Sequence, residues 1–63
     1  MVITEEEAIH ILVMMSYYLR NERIVVENAP AAEGLGEVKL ARRIGEEFPD
    51  LKSHVEMVLK GDY

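Results

Sequence analysis

Cysteine and tryptophan are both missing from this 63-residue chain. Without thiols it can form no disulfide, no thiolate metal cage and no cysteine nucleophile. The only histidines, His10 and His54, lie far apart and lack paired-ligand spacing, so no metal ion and no other cofactor is expected. There is no glycine-rich phosphate loop ending in Lys-Ser/Thr, and no carboxylate pair set for acid–base work. Glu5, Glu6 and Glu7 are consecutive, which on a helix spreads them around the axis instead of converging them on one ion. A chain this short also offers little shelter for a deep pocket. The expectation is a protein that is not an enzyme.

Long hydrophobic runs are lacking too. The stretch from Ala8 to Leu19 is interrupted by His10 and Ser16 and falls short of the roughly 20 apolar residues of a membrane span. The N-terminal Met1-Val2-Ile3-Thr4-Glu5-Glu6-Glu7 is acidic, the reverse of the basic region that opens a signal peptide. No membrane partner and a cytoplasmic location are therefore expected. Twelve acids against seven bases leave a net charge of −5, a field that opposes non-specific attraction to nucleic acid or anionic lipid.

What the chain does have is material for a core. Its apolar content of 49% is far above that of a disordered tail, and the reading is one small helical domain over 1–63. A core of this size supplies only about 3–5 kcal/mol. With disulfide and metal excluded, the remaining staples are tight packing and a partner chain.

The pattern predicts an all-α fold of three helices, at about 5–22, 37–48 and 50–60. Thr4 followed by Glu7 is a capping-box spacing, and three glutamates fill the first turn, where the helix dipole favours negative charge. In the second helix Val38, Ala41, Ile44 and Phe48, with Leu40, fall on one face, and Pro49 stops it. Asp50 is placed to cap the third, in which Leu51, Val55, Val58 and Leu59 form the buried stripe and Gly61 ends it. Between the first two helices, the β-branched run Ile24-Val25-Val26 predicts a short extended segment over 23–27. A long loop follows through Asn28, Pro30, Gly34 and Gly36.

The first helix is apolar around nearly its whole circumference. Such a helix needs cover on every side, and more cover than a chain this short readily supplies. The expectation is a homodimer, with Ile11, Met14, Met15, Tyr17 and Tyr18 as the self-association or partner interface; the tyrosines are the amphipathic anchors that interfaces favour.

Residues 38–60 resemble a helix-turn-helix. Ala41 with Gly45 four residues on is the small-residue spacing at which the two helices of that motif cross. Two features depart from it: Glu46 stands where the motif wants an apolar residue, and Phe48-Pro49-Asp50 stretch the turn. The resemblance implies DNA binding, with Lys39, Arg42 and Arg43 on phosphates and Lys52, Ser53 and His54 reaching base edges. Glu46 and Glu47 lie four residues after Arg42 and Arg43 and are placed to neutralise them. The reading that leads is therefore a small acidic protein–protein interaction module that regulates or adapts a larger, unidentified protein partner. The DNA-binding regulator is the disfavoured alternative.

Overall fold

The computed structural model describes residues 2–62. Its three α-helices are α1, Glu5–Asn21, α2, Gly36–Glu47, and α3, Lys52–Lys60, and among the described residues there is no strand. The expected all-α, three-helix fold is what forms. α3 packs against both α1 and α2, while α1 and α2 meet over a smaller contact.

α1 begins as its sequence predicts. Thr4 caps it by accepting from the Glu7 backbone N–H at 3.0 Å, and the Glu7 carboxylate accepts from the Thr4 N–H at 2.8 Å. Two of the helix's orphan donors are satisfied in this reciprocal way. The residues it buries are Ala8, Leu12, Met15, Ser16 and Leu19, a single stripe at helical spacing. The Ser16 hydroxyl is the polar member of that stripe, and it donates to the Val13 carbonyl one turn back, so its burial leaves no unmet donor.

The helix stops at an unusual residue. Arg23 has φ +57, the left-handed region that costs an L-residue about 1–2 kcal/mol. There its N–H donates to the Arg20 carbonyl at 3.1 Å, and the Ile24 N–H to Leu19 at 2.8 Å. This is the reversed pattern that closes a helix C-terminus, with apolar residues facing each other across it. α3 closes the same way around Gly61, φ +78, where Asp62 donates to Met57 at 3.0 Å. In α3 a glycine holds the left-handed position; in α1 an arginine does.

Three expectations are corrected. The segment 23–27 is not an extended strand: Val25 has extended dihedrals (φ −116, ψ 107), but Val26–Asn28 already forms a 3₁₀ turn. A β-branched run needs a second strand to pair with, and here the core takes Val26 instead, at 5% exposure. The loop expected to follow is a second 3₁₀ turn over Pro30–Gly34. Proline fixes the backbone at its first position, the Ala32 and Leu35 amides donate to Ala29 and Ala32 at 2.8 and 3.0 Å, and Ala32 is buried. Finally, Asp50 does not cap the third helix. Pro49–Leu51 forms a 3₁₀ turn closed by the Leu51 N–H on the Phe48 carbonyl at 2.8 Å. α3 therefore starts at Lys52, without a side-chain cap.

One buried cluster runs through all of these elements, from Ala8 and Leu12 of α1 through Val26 and Ala32 of the turns to Val38, Ile44, Val58 and Leu59. α2 and α3 meet at Gly45, where an added β-carbon would stand at an ordinary contact distance of 3.5 Å from the Val55 side chain. Ala41 and Gly45 both lie on the buried face of α2.

Candidate interaction surface

Because the chain's own core covers only one side of α1, the rest of its apolar circumference faces outward. Met14 is 60% exposed, Tyr17 58% and Tyr18 40%, and Ile9 is also exposed. Ile11 and Val13 are half-buried. On a helix, positions 10, 13, 14 and 17 share one face, and 11, 14 and 18 share the strip beside it. His10, Met14 and Tyr17 therefore run down the middle of the outer side, with Ile11 and Tyr18 along one edge and the half-buried Val13 along the other. Of the five interface residues read from sequence, the structure brings together Ile11, Met14, Tyr17 and Tyr18. Met15 goes elsewhere: it points into the core at 6% exposure.

Two polar features border this face. The Arg20 guanidinium lies 5.6 Å from the centre of the Tyr17 ring, a cation–π arrangement that lays the arginine stem along the tyrosine. At the other end stand Glu5, Glu6 and Glu7, all exposed. Around the helix from the outer face, Leu19, Ile24, Val25 and Val58 form most of a crevice of about 190 Å³, which Arg20 and Arg23 also line.

Of the basic residues of 38–60, the two arginines have carboxylate neighbours. Arg42 holds Glu33 with two guanidinium nitrogens, at 2.6 and 3.4 Å, and reaches Glu56 at 3.5 Å. Arg43 stands 3.9 Å from Glu47. Lys39, Arg42 and Arg43 do line one shallow depression, but Glu33, Glu46 and Glu47 line it with them. The hydrogen bond from Arg42 holds the Glu33 carboxyl below its ordinary range, and the same bond raises Arg42 above its own. Lys52 and Ser53 are exposed at the start of α3, whereas His54 is half-buried.

Sequence spacing missed the partners of Arg42. An i,i+4 reading points to Glu46, yet the bonds go to Glu33 on the Pro30–Gly34 turn and Glu56 on α3. Only the folded arrangement of three segments brings these together, and no local signal marks it. The sequence reading also gave no place to Ile9 and Val13 in the outer face.

Among the described residues no group of three or more His, Cys, Asp or Glu could hold a metal ion, and no helix is long and apolar enough to cross a membrane. Comparison of the chain with protein-family models, curated proteins and solved structures returned no match.

Proposed function

We propose that this chain is a small acidic protein-interaction module, not an enzyme, acting in the cytoplasm as a regulator or adaptor of a larger protein partner, and that the outer face of α1 is its self-association or partner interface. The observation that carries this reading is the exposure of Met14, Tyr17 and Tyr18 together on a helix whose opposite side is core. Large apolar side chains exposed singly need no explanation, but a contiguous face marks a contact site. Two tyrosines side by side add anchors of the kind that carry interface energy: large, of few rotamers, and able to keep a hydroxyl in water.

The DNA-binding alternative draws no support from the contacts of α2. Each of the two arginines it needs sits beside a carboxylate, and the net charge of −5 opposes the duplex.

A photo-reactive side chain placed at Tyr17 tests the reading in the native cell, with one at Lys39 as the control position. Crosslinks from position 17 to protein, of any identity, and few from position 39 are expected. Crosslinks to nucleic acid alone, or none from position 17, would overturn the proposal.

A further inference from the structure

The charges of α1 are ordered along its length. Three glutamates fill its first turn; Arg20 lies in the last turn and Arg23 just past it, with Glu22 between them. One end is therefore strongly negative and the other weakly positive. The half-charges of the helix dipole reduce this contrast without reversing it at the acidic end. Between the two ends lie His10, Val13, Met14 and Tyr17.

We infer that the occupant of this face is a second copy of the chain, packed with its α1 antiparallel to the first. The inference rests on the docking reading above and adds the partner and its orientation. A two-fold axis passing between Val13 and Met14 sets His10 opposite Tyr17 of the second copy and Glu7 opposite its Arg20. Glu6 then lies opposite Asn21, beside that same arginine. His10, Val13, Met14 and Tyr17 then face one another across the axis, and the acidic end of each helix meets the basic end of the other. A parallel pair would instead gather both sets of three glutamates at one end, and like charges so placed oppose association. An isologous two-fold contact is also the commonest way for a chain to complete itself.

Area sets the strength. At their exposures the two tyrosines offer on the order of 200 Å² between them, and the whole face is a few such units. That is below the roughly 800 Å² per partner of a standard interface. The dimer is accordingly weak and reversible, and the chain's own core holds the monomer together between encounters.

Two measurements test this. Sedimentation of the wild-type chain from micromolar to millimolar concentration is expected to show reversible dimerisation. Replacing Glu6 by lysine is expected to weaken it by about three- to tenfold; tightening would indicate parallel packing and overturn the orientation. For a direct view, the single variants His10→Cys and Tyr17→Cys are oxidised separately and then as a mixture. In the antiparallel register, equivalent positions 10 lie about 10 Å apart along the axis, beyond disulfide reach. The mixture should therefore yield the crosslinked 10-to-17 pair, while neither variant alone yields dimer. Homodimers from the single variants would overturn the antiparallel arrangement. A chain that stays monomeric throughout, while position 17 crosslinks a different protein in cells, would overturn the inference and leave the docking reading standing. If position 17 contacts no protein at all, both fall.

Discussion

Arg23 occupies a backbone conformation in which glycine costs less. Its φ of +57 closes α1 in the way that Gly61 closes α3, and nothing in its backbone hydrogen bonds requires a side chain. Arg23→Gly is expected to raise stability by about 0.5–1 kcal/mol, with the denaturation midpoint as the readout. The reverse change at Gly61, to alanine, should cost about 1 kcal/mol for the same reason. Gly45 is a different kind of glycine. It sits in helical backbone, and a β-carbon there meets Val55 at an ordinary contact distance of 3.5 Å. Gly45→Ala should thus gain about 0.5–1 kcal/mol from helix propensity. A large loss instead would mean that α2 and α3 cross more tightly than the contact distance implies. Glu33 adds a pH dependence whose sign is set by its bond to Arg42. Its folded carboxyl titrates below the ordinary 4.5, so the stability it contributes is present above that value and is lost as pH falls through the depressed one. Because the pair is exposed, the contribution is small. Melting temperatures of wild type and Glu33→Gln are expected to differ slightly at neutral pH and to converge as the solution is acidified below 4.5.

Among the elements, the helix starts show how far local chemistry reaches. Thr4 and Glu7 satisfy two amides without tertiary help, so Thr4→Ala should cost about 1 kcal/mol and fray α1 first, visible as faster hydrogen exchange at Glu7. The helix signals elsewhere are weaker: α2 and α3 both start without a side-chain cap. What holds their ends is packing, through the buried Leu51 and Val38. The connection between α1 and α2 teaches a related lesson. Asn28 to Gly36 reads as loop because its residues are turn formers, and turn formers are equally suited to short 3₁₀ pieces. The difference lies in Val26 and Ala32, which dip into the core. In hydrogen exchange, the bonded Ala32 and Leu35 amides should be slower than that of Ala31, which precedes the first bond of the turn, yet faster than Leu12 or Met15 in the middle of α1. Equal exchange across 29–35 would show that the turns are not anchored.

On the scale of the whole molecule, the outer face of α1 and the charge network of α2 lead to opposite expectations for two kinds of ligand. The wild-type chain should bind mixed-sequence duplex DNA no more tightly than about 10⁻⁴ M at physiological salt, as judged by a fluorescence titration. Sub-micromolar, salt-sensitive binding that vanished in an Arg42→Ala, Arg43→Ala double variant would promote the nucleic-acid reading over the protein one.

Read from residues alone, the chain already implied its class. Apolar spacing, the Thr4–Glu7 box, Pro49 and Gly61 suffice for three helices and most of their buried positions, since each signal acts within a few residues of itself. The tertiary structure decided what the helical period could not. A helix apolar all round does not say which side its own chain will cover; that depends on where α3 comes to lie. In the assembled core Ala8, Leu12, Met15 and Leu19 are the buried side of α1, whose larger helix contact is with α3, so Met15 is core, and Met14, Tyr17 and Tyr18 are left as surface. The partners of Arg42 were settled in the same way, because Glu33 and Glu56 reach it only after the Pro30–Gly34 turn and α3 have docked. Contacts between distant segments are products of the assembled core, and local sequence chemistry carries no record of them.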